Sequence, residues 1–276
     1  MKLILMNYHY LRYPLEKFFD KLQELGFDEM ELYCSEPQMN IFDYGLSKLI
    51  ALEKDLERRK LHVEVLTPEN FSYPVNFAAA DKQVTENSLR YYQRAVDTAS
   101  FLGCSKVQIS VGSGYFNEDK EEIWKRCRGN LETLVTYCEK RHIELLLEEL
   151  KGSSAIILNN SKEVERMVSE IDSPALSGML DIDQMACAGE RPADYFKNLG
   201  NKIRHIHFND RGHTIPGDAD YPMKEYYQEI KRTGYSGSCS FEICDRRYFI
   251  NPDEATDRLI FWLKENTKEL KKAGEK

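Results

Sequence analysis

Short β-rich runs and longer stretches with helical spacing alternate along the whole of this 276-residue chain, eight of each. The β-rich runs are Leu3–Asn7, Met30–Tyr33, His62–Thr67, Lys106–Val111, Ile143–Glu148, Ser177–Ile182, Ile203–Phe208 and Gly237–Ile243. Between the first two lies Pro14–Leu25, where Leu15, Phe18, Phe19, Leu22 and Leu25 share one face at the helical period, and Gly26 supplies a stop. The same pattern predicts helices at Leu46–Lys60, Thr85–Leu102, Lys120–Arg141, Lys162–Ile171, Ala193–Leu199, Met223–Thr233 and Asp253–Lys271. The lysine-rich end, Lys271–Lys276, is expected to be frayed and solvated.

Strict alternation demands parallel strands joined by crossover helices. Eight such units predict one closed (β/α)8 barrel, a TIM barrel, spanning residues 1–276 as a single domain. An open sheet that binds dinucleotides would carry Gly-x-Gly-x-x-Gly after its first strand, and Asn7-Tyr8-His9-Tyr10 has no glycine. A P-loop is also absent. Acidic residues outnumber basic ones, 46 to 38, for a net charge of −8 with no basic stripe, which argues against nucleic acid as partner. The apolar runs Leu3-Ile4-Leu5-Met6 and Ile156-Ile157-Leu158 fall far short of the roughly 18 residues a membrane span needs, and the first is too brief for a secretion signal. Seven cysteines, odd in number and without a Cys-x-x-Cys pair, suit reduced thiols in cytoplasm. The expectation is a cytoplasmic protein with no membrane partner, compatible with a homo-oligomer.

Barrels place their chemistry where the strands end. The fifth run ends in Leu145-Leu146-Leu147-Glu148, the sixth contains Leu180-Asp181, the seventh reads Arg204-His205-Ile206-His207-Phe208, and the eighth reaches Ser240-Phe241-Glu242. A lone acid after a strand usually caps a turn or helix. Four polar ends on adjacent strands are better explained by convergence on one ion. Glu148, Asp181, His207 and Glu242 offer three carboxylates and one imidazole, a set that favours Mn²⁺, with Mg²⁺, Co²⁺ or Ni²⁺ as alternatives, over structural Zn²⁺. Without an ion the clustered carboxylates would repel one another and titrate high.

The stretch Ile143–Glu242 resembles the xylose-isomerase-like barrel family of sugar isomerases and epimerases. The likeness rests on the four strand ends, on Ile215-Pro216-Gly217, and on Gly234-Tyr235-Ser236-Gly237 leading into Glu242. Ligand spacings of 33, 26 and 35 residues resemble the ketose 3-epimerase branch, in which the matching residues hold one divalent ion. The segments Thr67–Asn76 and Tyr195–His205 are similar to fructoselysine 3-epimerases. The resemblance implies a small sugar or sugar-amine substrate and a 3-epimerase that works through a metal-stabilised enediolate, with Glu148 and Glu242 as the base and acid. Three positions depart from the family pattern: Gln184 stands where many relatives have His, Ser154 where sugar epimerases often have Glu, and Asp218-Ala219 completes a loop that is commonly Pro-Gly-x-Gly.

His9, Glu69, Gln184, Arg211, His213 and Arg246 are the candidates for substrate contact around the mouth. His205 is expected to be buried and hydrogen-bonded, Glu149 to face the helical layer, and His62 and His142 to lie at the far end. Asp183 and Asp210 are expected to cap helices or to orient His207. A dehydratase or lyase acting on a keto-sugar or keto-inositol would use the same site and is the alternative. A DNA-repair endonuclease would need more than six histidines and a positive groove. A sugar-binding protein without catalysis would have no use for all four ligands.

Overall fold

The structure, a computed structural model, describes residues 1–70 and 75–267. Among them are nine strands: β1 (Lys2–Leu3), β2 (Leu5–Met6), β3 (Glu29–Cys34), β4 (His62–Pro68), β5 (Lys106–Ile109), β6 (Glu144–Leu147), β7 (Leu176–Asp181), β8 (Ile203–His207) and β9 (Ser238–Ser240). Every pairing is parallel, in the order β1-β9-β8-β7-β6-β5-β4-β3-β2. The first predicted run is thus two short strands flanking Ile4, one paired with the last strand and the other with β3, and this closes the ring. Asn7 is not part of the strand, yet it extends the ladder with its side chain: Oδ1 accepts from the Tyr33 N–H at 2.7 Å and Nδ2 donates to the Tyr33 carbonyl at 3.0 Å.

Helices cover the outside: α1 (Leu15–Leu25), α2 (Leu46–Arg59), α3 (Lys82–Phe101), α4 (Lys120–Glu139), α5 (Ser161–Ile171), α6 (Ile182–Cys187), α7 (Pro192–Leu199), α8 (Met223–Arg232) and α9 (Pro252–Asn266). Helix α1 buries Leu15, Phe18, Phe19 and Leu22 as its spacing requires, and stops where Gly26 takes a left-handed φ of 77°. Asp81, Asp119 and Asn160 start α3, α4 and α5 by accepting backbone N–H bonds that the first turn cannot otherwise satisfy. No helix of the described residues is long and apolar enough to cross a membrane. The predicted last helix ran to Lys271; α9 ends at Asn266, and residues 268–276, the expected frayed tail included, lie outside the described residues.

Strand alternation sorts the side chains. Leu145, Leu147, Leu180, Ile206, Cys239 and Phe241 point outward into the main core under the helices. Val65, Leu146 and Met179 form a separate small cluster, the apolar plug of the barrel interior. Residues of that inward parity, one step further along their strands, carry the polar groups described next. His62 and His142 lie at the opposite end, where their strands begin, and both are exposed.

Several strands stop short of their predicted ends: β2 at Met6, β5 at Ile109, β6 at Leu147 and β8 at His207. Ile182, expected in a strand, begins α6, a short helix that Asp181 caps and the periodicity does not reveal. Gly237–Ile243 contracts to Ser238–Ser240, so Glu242 stands just beyond the ladder.

Candidate active site

Glu148 follows β6 and is pinned by its own N–H, which donates to the Ile109 carbonyl at 2.9 Å. Asp181 ends β7 and divides its carboxylate between two tasks. Oδ1 accepts from the Gln184 N–H at 2.9 Å and caps α6, while Oδ2 faces the barrel axis and accepts from Asn209 Nδ2 at 2.8 Å. His207 ends β8, and Glu242 follows β9. One donor atom from each of these four lies within 4.8 Å of the other three. His207 Nδ1 sits at the centre, 3.6 Å from Glu148 Oε1, 3.6 Å from Asp181 Oδ2 and 3.5 Å from Glu242 Oε2.

The other ring nitrogen is already committed. His207 Nε2 lies 3.0 Å from Glu31 Oε1, and Glu31 Oε2 lies 2.9 Å from His205 Nε2. Glu31 also accepts from the hydroxyls of Thr67 and Ser240, and His205 Nδ1 meets Ser238 Oγ at 2.8 Å. Burial alone would raise the Glu31 carboxyl, but His207 and His205 beside it hold it well below the carboxylate range. An ionised Glu31 can only accept, so His207 donates through Nε2 and presents Nδ1 to the carboxylates. That Nδ1 is buried and has no hydrogen-bond partner among the described residues. Glu31, His205 and His207 also cluster closely enough to hold an ion, yet their facing atoms are spent on hydrogen bonds to one another.

The electrostatics ask for a cation. Burial pushes the Glu148 carboxyl up to about 7, with Glu242 and Asp181 adding to the rise and His207 offsetting part of it. Asp181 and Glu242, which burial would also raise, are held below their usual range by His213 and His207. Burial would lower His207, but Glu31 and the three carboxylates hold it well above the usual imidazole range. A site that stabilises positive charge this strongly takes either protons or a metal ion. Three carboxylate oxygens and one unpartnered imidazole nitrogen are a donor set for a divalent cation.

Above the cluster lies a cavity of about 230 Å³ lined by Glu148, Glu242, Tyr8, Tyr33, Lys151 and Cys244, among others. Three of the candidate contact residues also line it: Glu69, Gln184 and His213. Gln184 is fixed by accepting from the Lys151 N–H at 2.8 Å. His213, in the loop after β8 at a positive φ of 55°, places Nε2 3.0 Å from Glu242 Oε2 and 3.5 Å from Asp181 Oδ2. Its Nδ1 lies 3.5 Å from Asp183 Oδ2. Asp183 therefore orients His213 rather than His207. Asp210 neither caps a helix nor meets His207; it ties down its own loop by accepting from the N–H groups of Gly217, Ala219 and Tyr221.

The other three contact candidates lie elsewhere. His9 sits in a 3-10 turn, Tyr8–Tyr10, that rotates its ring out of the mouth and against α9, where Nε2 meets Thr256 Oγ1 at 2.9 Å. Arg211 is 58% exposed, paired with Asp220 at 3.0 Å and laid over the Tyr221 ring. Arg246 is an exposed residue of the turn Arg246–Phe249 and does not line the cavity. Within the loop Thr67–Asn76, residues 71–74 lie outside the described residues. Glu149 faces the helical layer and accepts from Tyr195 Oη of α7 at 2.5 Å. A larger cavity of about 710 Å³ opens at the far end, but Lys2, Lys106 and Arg204 there are neutralised by Glu29, Glu64 and Glu144, and no chemistry converges on it.

Glu31, Gln108 and Asn209 were not anticipated. Gln108 donates to Glu148 Oε2, and Asn209 bridges Asp181 Oδ2 and the Asp183 N–H. The available signal was a polar residue interrupting an apolar strand, as in Met30-Glu31-Leu32 and Val107-Gln108-Ile109.

Residues 19–266 match the xylose isomerase-like TIM barrels. The chain belongs to that family. Within it, the chain is 28% identical over 237 residues to the fructoselysine 3-epimerase of Escherichia coli O157:H7, covering 84% of this chain and 86% of that one. It is 23% identical over 244 residues to the D-psicose 3-epimerase of Enterocloster bolteae, with 82% and 76% covered. Among solved structures, the 3-keto-D-glucoside 4-epimerase of E. coli superposes with a TM-score of 0.81 at 16% identity, over 96% of this chain and 99% of that one. These relatives are sugar epimerases and therefore isomerases.

Proposed function

We propose that this xylose isomerase-like barrel inverts C3 of a ketose or ketosamine, with fructoselysine and its C3 epimer as the leading substrate pair. The observation that carries this reading is that Glu148 and Glu242 both line the cavity and flank His207 Nδ1 at 3.6 and 3.5 Å. Epimerisation beside a ketone requires a proton to leave carbon on one face and return on the other, which calls for two proton carriers. Glu148 is one such carrier, and Gln108 steadies its Oε2. Glu242, held ionised by His213 and His207, is the complementary acceptor, and the pair exchanges roles when the reaction runs backward. Glu148, Asp181, His207 and Glu242 would hold a divalent cation, Mn²⁺ first, with Mg²⁺, Co²⁺ or Ni²⁺ as alternatives. Such an ion would supply Lewis-acid stabilisation of the charge that develops on the substrate's carbonyl oxygen. His213 and Gln184, which line the cavity, would meet substrate hydroxyls above the cluster.

The seven free cysteines suit a reducing cytoplasm. The test is incubation with fructoselysine, D-fructose and D-psicose in D₂O with Mn²⁺. Deuterium at C3 with inverted configuration supports the reading. Loss of water from the product would instead identify a dehydratase, and no exchange from any of the three ketoses would overturn the proposal.

A further inference from the structure

A second cavity, of about 580 Å³, adjoins the first at the same end of the barrel. Glu69 lines both. Its Oε2 accepts from the hydroxyl of Tyr33, on the wall of the first cavity, and from Ser35 Oγ at 3.4 Å, on the wall of the second. The shared wall is therefore made of side chains bonded to both chambers.

Size divides the work between them. The first chamber, at about 230 Å³, is below the roughly 300 Å³ at which small-molecule sites usually begin. It has room for a sugar over the carboxylate cluster but not for an amino-acid arm attached to that sugar. The second chamber has the surfaces such an arm would need. Phe42 is 51% exposed, its ring edge against Tyr91 with centroids 5.2 Å apart, and offers an apolar strip. Glu36 and Arg90, of opposite sign, also line this chamber. Both are exposed, and neither has an ion-pair partner among the described residues. Arg90 is steadied by a bond to Asn87, one turn back on the same helix, so its guanidinium is held without being neutralised.

We infer that the second chamber seats the zwitterionic amino-acid end of a ketosamine whose sugar lies in the first, with Arg90 taking the carboxylate, Glu36 the ammonium, and Phe42 with Tyr91 the connecting methylenes. The inference rests on the ketosamine reading above and adds where specificity for the amine side is generated. A guanidinium presents a planar fork that matches a carboxylate, and a carboxylate is the complementary partner for an ammonium. A substrate with a plain alkyl amine in place of lysine would leave both charges to water and gain only the apolar strip.

Calorimetric binding of fructoselysine and of its butylamine analogue, 1-butylamino-1-deoxyfructose, tests this in the whole chain with Mn²⁺. The expected result is binding of fructoselysine at least about tenfold tighter than the analogue. That preference should fall toward unity in Arg90→Ala and in Glu36→Gln, two exposed positions that bury nothing on substitution. Equal affinities in the unsubstituted protein, or a preference that survives both substitutions, would overturn the inference. Deuterium exchange at C3, followed in the same samples, reports separately on the chemistry. A binding preference without exchange would uphold the seat and defeat the epimerase reading, whereas exchange without a preference would do the reverse.

Discussion

Glu31 Oε1 reaches across the barrel interior from β3 to within 3.0 Å of His207 Nε2 on β8. The carboxylate thereby decides which imidazole nitrogen faces the cluster. Replacing it with an amide of the same shape removes the ionised acceptor and permits the wrong tautomer. Glu31→Gln is expected to weaken Mn²⁺ binding by about 10–100-fold, measured by calorimetry, with a melting curve run alongside to show that the barrel is still folded. Unchanged affinity in a folded variant would mean that His207 orients itself.

Metal removal should register as lost stability, because the four donors are assembled only in the folded chain. At a cation concentration about 100 times Kd, binding adds roughly 2.7 kcal/mol. For a chain of this size that corresponds to a fall in Tm of roughly 5–10 °C on chelation. Calorimetric scans with EDTA, then with Mn²⁺ restored, check it. A Tm indifferent to both would count against any ion at this site.

Glu148→Gln and Glu242→Gln should each reduce C3 exchange by at least about 10². On the proposed mechanism each change removes a proton carrier as well as a metal donor, so raising Mn²⁺ to saturation should leave the deficit in place. Recovery of turnover at high metal would assign that residue to coordination alone.

What could be read in the chain and what could not differ in a physical way. Glu148, Asp181, His207 and Glu242 each close an apolar run, and parallel alternation places such ends at one height, so their convergence followed from pattern. Glu31 and Gln108 sit inside strands, where a periodicity count passes over a single polar residue. A buried acid at the inward parity nevertheless demands a partner, and that demand was the overlooked signal. His9 and His213 show the limit of spacing as a guide. Both follow a strand closely, yet a 3-10 turn carries the first ring onto α9, while a left-handed backbone at the second folds it back over Asp181 and Glu242. Neither backbone choice is written in hydrophobic period.

The misplaced His9 has its own consequence. Burial holds its imidazole down to about 3, with Asp253 offsetting only part of the effect. The unfolded chain takes up that proton near pH 6.5 and the folded chain does not, so the neutral ring's contribution to stability is complete above pH 6.5 and declines as pH falls. Between pH 6.5 and 5 the loss from this one group is roughly 1.6 kcal/mol. Urea unfolding at both pH values should show His9→Gln less acid-sensitive than the unsubstituted protein by about that amount; identical slopes would sink the assignment.

The ring is fastened by four residues. Lys2–Leu3 grips β9 on one side and Leu5–Met6 grips β3 on the other. Those two strands are the ones that deliver Glu242 and Glu31, so the clasp and the proposed cation site share their supports. A cation bound there would bolt the clasp from within, and amide protons at Leu3–Met6 are then expected to exchange with solvent more slowly with Mn²⁺ than with EDTA.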